Sequence, residues 1–394
     1  MRKWAGWISL LLLFSFSVKA VVARDDITDD ASYCTLIAVG DNLFHEKVIN
    51  SGKQDDGTLN YDAVYEHVRD YIQQADIRVI NQEVILTGDS SKWGGFPSFA
   101  SPLEVGEAVV RAGFNVVTHA TNHSWDRGRQ GAEDTIAFWK SQDGVILTGM
   151  YDCQEDYDSI VVGEYNGIKV AFLNYTYGLN GSTLPSDAKF MVKLLDMDLV
   201  ISDIQKAREV ADIVIVFPHW GEEYKTEPNA NQKQMAQQMA DAGADLIIGC
   251  HPHVVQPLEN IVSKDGRNVP CFYSIGNFVA NMIRDYKCVE AMAKVVIRKD
   301  GDTAQIVSAE AVPMVNFMNP DTTLYTVYMA EDYTEEVASQ HANSDVTPRN
   351  VHNIWSGIVK HGDLLLYDGT AICGKGGRFG YSVSGVLEPP PIEG

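Results

Sequence analysis

Between residues 35 and 248 the chain repeats one beat: a short apolar run, a stretch with helical spacing, then another apolar run. Short apolar runs bounded by turn residues read as buried strands. They fall at 35–39, 77–80, 116–119, 169–175, 213–217 and 246–248. Helical spacing falls between them at 61–75, 103–112, 130–140, 195–211 and 231–242, the last closed by Gly243 as a C-cap. After Gly249 strands follow one another without helices, at 269–274, 292–298 and 304–312. Alternation followed by consecutive strands predicts an α/β fold of two packed sheets with helices outside.

The predicted strands share a second property. Each of five ends at a side chain able to hold a metal: Asp41, Glu83, Asn122 with His123, His219, and His251 with His253. His45 lies four residues beyond Asp41. Ligand sites in α/β sheets sit at the carboxyl ends of strands. Taken singly, each residue has a plain reading. An Asp after a strand caps a helix, Asn-His makes a turn, and His-Trp packs a core. Five strand ends together point to metal binding. Imidazole, carboxylate and amide oxygen without thiolate suit zinc, manganese or iron, and two ions more readily than one. Pro252 favours an extended chain, in which His251 and His253 face the same point.

Composition narrows the partners. Acids outnumber bases 53 to 31, giving a net charge of −22. Such a surface repels nucleic acid, so an anionic substrate would need local attraction, which bound metal ions supply. Residues 1–23 combine a basic start, an apolar run too short for a comfortable span and small-residue cleavage sites. They read as a secretory signal peptide or, failing cleavage, an N-terminal anchor. In an exported chain six cysteines permit disulfides, with 15 pairings open. No C-x-x-C pair points to thiolate zinc, and Cys250 and Cys271 read equally well as core residues. N-x-[ST] triplets begin at Asn122, Asn174 and Asn180, the first inside the expected metal site. Residues 316–394 change pattern, with helical pieces near 332–341 and 350–359, and are expected to form a C-terminal appendage.

Six ordered motifs carry a family resemblance. They are Gly40-Asp41, Asn81-x-Glu83, Ala120-Thr121-Asn122-His123-x-x-Asp126-x-Gly128, His219-Trp220-Gly221-x-Glu223-Tyr224, Gly249-x-His251-Pro252-His253-Val254-x-Gln256 and Ser274-Ile275-Gly276-Asn277-Phe278. Together they resemble the CapA family of capsule, or poly-γ-glutamate, synthesis proteins, which in turn resembles calcineurin-like metallophosphoesterases. The resemblance implies a four-layer α/β/β/α sandwich over residues 33–315 and two divalent metal ions (Mn, Zn or Fe). It implies that Asp41, Glu83 and His253, with His45, hold one ion. Glu83 would bridge to a second, completed by Asn122, His219 and His251. His123 becomes the general acid or phosphate contact, and Asp126 orients its ring. Two departures from the wider phosphoesterase pattern bear on the first ion: His45 follows Asp41 by four residues rather than two, and Glu83 stands where an aspartate bridges. The expected role is an exported, bacterial, cell-surface or extracellular hydrolase acting on a phosphoester, or on a γ-glutamyl amide of an anionic polymer. Membrane-bound capsule synthesis proteins are the expected partners. The alternative is a non-catalytic protein that grips the polymer, or scaffolds its export, through bound metal.

Overall fold

The computed structural model describes residues 31–358 and the backbone of a short strand at Asp363–Leu365. The expected signal segment and Cys373 lie outside the described residues. The strands, in chain order, are β1 (Ser32–Asn42), β2 (Ile77–Gln82), β3 (Val116–Thr118), β4 (Ile146–Thr148), β5 (Val162–Tyr165), β6 (Ile168–Thr176), β7 (Ile213–His219) and β8 (Leu246–Ile248). They continue with β9 (Leu258–Val262), β10 (Asn268–Phe272), β11 (Asn277–Val279), β12 (Val289–Asp300), β13 (Thr303–Met318), β14 (Tyr325–Met329) and β15 (Asp363–Leu365).

These strands build two sheets. The nine-stranded sheet runs β14-β13-β12-β1-β2-β3-β4, with β11 added beside β1 and β15 beside β13. In it β1 to β4 are parallel, and β12, β13 and β14 continue antiparallel. The six-stranded sheet runs β5-β6-β7-β8-β10-β9, with β6, β7, β8 and β10 parallel. Strands covered on both faces read as unbroken apolar runs; β7 is buried at all its positions.

Three apolar clusters show the layering. Leu36, Ala38, Ile77, Val79 and Val116 of the larger sheet meet Ile168, Phe172, Ile215 and Ile248 of the smaller one. The other face of the larger sheet, through Ile37, Val39 and Ile80, packs on Val105, Val109 and Trp139 of helices Leu103–Ala112 and Gly128–Lys140. The other face of the smaller sheet, through Ala171, Val214 and Ile247, packs on Ile204, Met235 and Met239 of helices Met197–Val210 and Ala230–Ala242. This is the four-layer α/β/β/α sandwich. The stacking sets the C-terminal ends of β1, β2 and β3 beside those of β7 and β8.

Three expectations change. The helix expected at 61–75 is instead a 3₁₀ turn at Asp62–Val64, further turns and a single α turn at Arg69–Ile72. Tyr61, Val64, Tyr65, Val68 and Ile72 are all buried, as the spacing required. Bonds from Val64 N–H to Tyr61 O, Tyr65 N–H to Asp62 O and Val68 N–H to Tyr65 O tighten the backbone to a three-residue period. The Tyr61 hydroxyl reaches Ile49 O at 2.9 Å, so tertiary contacts override local propensity. Second, the expected boundary at 315/316 falls inside β13, and β14 extends the same sheet. Residues through Val351 pack into that sheet's core rather than forming an appendage. Third, Cys34, Cys153, Cys250, Cys271 and Cys288 are free thiols, so no disulfide forms among the described residues. Among those residues no helix is long and apolar enough to cross a membrane.

Gly40 marks where β1 meets the 274–277 turn. A Cβ there would stand 2.0 Å from Gly276 O. Gly40→Ala is expected to destabilise the protein by about 1–3 kcal/mol through overpacking. A urea-unfolding midpoint equal to wild type would contradict this reading of the junction.

Candidate metal centre

Five strand ends deliver the site. Asp41, in β1, is fully buried. Its Oδ1 accepts from Asn81 Nδ2 at 2.7 Å, and its Oδ2 accepts from the His251 N–H at 3.2 Å. Glu83 follows β2. It too is fully buried, and neither carboxylate oxygen receives a hydrogen bond. Asp41, Glu83 and His253 each offer a ligand atom, all within 4.8 Å of one another. His219, ending β7, places Nδ1 4.0 Å from Asp41 Oδ1 and Nε2 3.7 Å from Glu83 Oε1. The same Nε2 lies 2.7 Å from Asn122 Oδ1. His253 places Nδ1 3.1 Å from Asp41 Oδ2 and Nε2 3.8 Å from Glu83 Oε1. The His251 ring lies 4.9 Å from that of His219 and 5.9 Å from that of His253.

The backbone between Gly249 and His253 differs from the extended form expected from Pro252. His251 has φ +99° and His253 φ +55°. Non-glycine residues held in this region carry about 1–3 kcal/mol of strain each, sustained only where surroundings impose it. Here the surroundings are bonds from Gly249 N–H to Phe272 O at 2.7 Å, Cys250 N–H to Pro218 O at 3.1 Å and Tyr224 N–H to Pro252 O at 2.7 Å. Gly249 is required by close approach, since a Cβ would meet Tyr273 O at 2.2 Å. The His253 ring still meets both carboxylates, and the His251 ring lies beside it and His219, by left-handed turns rather than by strand alternation.

Charge makes the arrangement a candidate cation site. Burial and the neighbouring Asp41 push the Glu83 carboxyl well above the ordinary range. Burial drives His219 well below the usual imidazole value and His251 down to about 4, assisted in both by adjacent imidazoles. Both are therefore neutral, as metal ligation requires. Burial also lowers His253, but Glu83 and Asp41 outweigh it and hold the ring up to about 9. A fully buried carboxylate without a donor, facing a second carboxylate, three imidazoles and an amide oxygen, has the donor set of a hard or borderline divalent ion. The residues present fit the implied metals.

The remaining expected residues divide. Asn122, buried at the site, faces His219 as above. His123 Nδ1 lies 2.7 Å from Asp126 Oδ2, which also accepts from the Phe99 N–H at 2.6 Å. This leaves Nε2 of His123 as the atom able to exchange a proton. His45 stands apart from the Asp41–Glu83–His253 group. Its Nδ1 lies 3.3 Å from Asn281 N and 3.2 Å from Leu43 O, and burial holds the ring down to about 4. Phe99 packs edge-on against both His45, at 5.2 Å, and His123, at 4.6 Å.

Amides that the sequence reading did not assign complete the support. Asn277 Oδ1 lies 3.0 Å from His253 Nδ1, and its backbone and side-chain N–H groups bond the buried Glu290 carboxylate at 2.6 and 3.1 Å. Asn174 Oδ1 accepts from the N–H groups of His119 and Ala120 at 2.9 and 2.6 Å, and its Nδ2 donates to Phe217 O at 2.8 Å. It thereby ties the ends of β3, β6 and β7 together. Asn81 and Asn277 lie within the Asn81-x-Glu83 and Ser274-Ile275-Gly276-Asn277-Phe278 motifs, which is the signal the sequence carries for them. Asn174 showed only a glycosylation-like triplet.

Residues 35–282 match the family described as bacterial capsule synthesis protein PGA_cap. The chain belongs to this family. It is 33% identical to the capsule biosynthesis protein CapA of Bacillus anthracis over 253 residues, covering 62% of this chain and 59% of that one. It is 37% identical over 167 residues to the PGA biosynthesis protein CapA of Bacillus subtilis, covering 42% of each. The chain thus spans less than two thirds of either relative. Similar solved structures include the calcineurin-like phosphoesterase YfkN of Bacillus subtilis, with 15% identity, TM-score 0.43 and coverage of 83% of this chain and 99% of that one.

The charge balance sets a pH dependence. With its pKa held up to about 9, metal-free His253 is protonated at neutral pH, so ligation must displace a proton. Glu83, whose carboxyl is likewise pushed up, adds a second proton to displace, so metal affinity is expected to rise with pH between 7 and 9, by up to about tenfold per unit for each proton displaced. Titration calorimetry with Mn²⁺ in buffers of different ionisation enthalpy checks this through the protons released. A pH-independent affinity between 7 and 9 would refute it.

Proposed function

We propose that this chain is an exported protein of capsule or poly-γ-glutamate assembly that carries a two-ion, phosphoesterase-like hydrolase site. The observation that carries the reading is Glu83: a buried carboxylate without a donor, whose Oε1 lies 3.7 Å from His219 Nε2 and 3.8 Å from His253 Nε2, with Asn122 Oδ1 beside His219. In this reading Asp41, Glu83 and His253 would hold one ion, and Glu83 with Asn122, His219 and His251 would hold a second. Divalent ions there would supply a Lewis acid that activates water near neutral pH and neutralises an anionic substrate.

The protein's own groups do the rest. The short bond to Asp126 fixes the His123 ring and its Nδ1 proton, so Nε2 can give a proton to a leaving oxygen or nitrogen. Phe99 walls that ring on one side and excludes water there. The net charge of −22 would repel an anionic substrate from the surface at large, so capture depends on the ions. A phosphoester, or a γ-glutamyl amide within an anionic polymer, is the substrate class we assign. Export through residues 1–23 and action at the cell surface beside membrane-bound synthesis partners complete the proposal.

Elemental analysis of the purified protein should find about two transition-metal ions per chain, falling in a His219→Ala/His251→Ala variant. His123→Ala should keep the metal and lose about 10²–10⁴-fold in hydrolysis of activated phosphoesters or γ-glutamyl amides. A wild-type protein that holds no metal after reconstitution would end the hydrolase reading. His123→Ala with both metal content and biological function intact would transfer the case to metal-dependent polymer gripping. The His123–Asp126 pair speaks against that alternative, because a gripping site needs ligands but no held proton.

A further inference from the structure

Asn122 poses a chemical problem. A carboxamide offers an acceptor oxygen and a donor NH₂ of nearly equal size, and only the oxygen ligates a cation. Something must set which end faces the ions. Its own hydrogen bonds identify the partner: Asn122 Nδ2 donates to Asn180 Oδ1 at 3.1 Å, which turns Asn122 Oδ1 toward His219 Nε2 at 2.7 Å. Asn180 comes from a different strand connection, the loop after β6. It is 58 residues away in sequence and lies at the exposed margin of the site.

Resting on the metal-centre reading above, we infer that Asn180 is a positioning residue: its side-chain oxygen holds the Asn122 amide with the oxygen toward the ions. The backbone supports this use. Asn180 has φ +49°, a left-handed conformation that Asn tolerates better than most residues. The same loop lays Tyr177 against His251, ring centroids 4.6 Å apart, so its start is anchored on the site as well. A second contact, Asn180 Nδ2 to His123 Nδ1 at 3.3 Å, is the weaker one. The 2.7 Å bond to Asp126 takes the Nδ1 proton, and an NH₂ group donates poorly to a nitrogen already carrying hydrogen. The role of Asn180 therefore runs through Asn122.

Two substitutions separate side chain from backbone. Asn180→Gly suits the positive φ and removes the amide without strain. Asn180→Asp keeps an oxygen for Asn122 Nδ2. Both would be measured for Mn²⁺ affinity by competition titration and for metal-free thermal stability. Partners that orient metal ligands are worth about 10–100-fold in affinity. Asn180→Gly is expected to lose affinity in that range with its metal-free melting temperature near wild type, while Asn180→Asp stays at or above wild-type affinity. Asn180→Gly binding Mn²⁺ as tightly as wild type, or Asn180→Asp failing as badly as Asn180→Gly, overturns the positioning role and leaves the metal centre standing. A wild-type protein that binds no Mn²⁺ overturns both.

Discussion

A carboxylate sealed from water with no hydrogen-bond donor is the constraint on which this structure turns. Glu83 has no solvent exposure and no partner for either oxygen, and Asp41 lies close enough to raise its proton affinity further. Burying an ionised carboxylate without compensation costs several kcal/mol. The site can meet that cost with protons or with cations. His253 shows the proton solution, because the two carboxylates hold its ring charged up to about pH 9. His219 and His251 show the other, since both are kept neutral and able to ligate. One set of residues thus fits two charge states.

The fold supplies what chemistry alone could not. The ligands come from five positions spread over more than 200 residues, and no local segment could gather them. Parallel strands can, because their carboxyl ends lie on one edge. Two sheets stacked through Leu36, Val79, Ile215 and Ile248 bring two such edges together. The close contacts at Gly40 and Gly249 let the 273–276 backbone run against both β1 and the end of β8. Strain in His251 and His253 is absorbed by hydrogen bonds to β7, β10 and the 221–225 loop.

Much of this was legible in the sequence, for identifiable reasons. Strand positions were readable because parallel strands buried on both faces leave continuous apolar runs, as in residues 213–217 and 246–248. Helix Leu103–Ala112 was readable because its apolar stripe and Gly113 stop signal agree. The 61–75 region was not, because a 3₁₀ path and a helix bury nearly the same residues, and only contacts such as Tyr61 to Ile49 decide between them. The end of the larger sheet was missed because β13 runs unbroken past residue 315 into a hairpin with β14. Of the residues read as ligands, Asp41, Glu83, Asn122, His219, His251 and His253 are brought together in space. His45, read as a ligand four residues beyond Asp41, has its Nδ1 at hydrogen-bond distance from the backbone of Leu43 and Asn281.

What the sequence hid most fully is the set of amides around the charged residues. Asn81 holds Asp41, Asn277 holds His253, Asn174 ties three strand ends and Asn180 turns Asn122. An asparagine in a sequence reads first as a turn residue, so Asn174 and Asn180 announce no role, and Asn81 and Asn277 are marked only by the motifs that contain them. Their use follows from electrostatics. Each ligand needs a fixed orientation, and a charged orienting group would shift the balance among two carboxylates and three imidazoles by its full charge. A carboxamide donates and accepts without carrying net charge. Glu290, a buried acid recruited to this support, is kept behind Asn277, with both its oxygens occupied by that residue's N–H groups. Around Asp41, Asn122 and His253 neutral groups do the aiming, and the balance of charge among the carboxylates and imidazoles is left undisturbed.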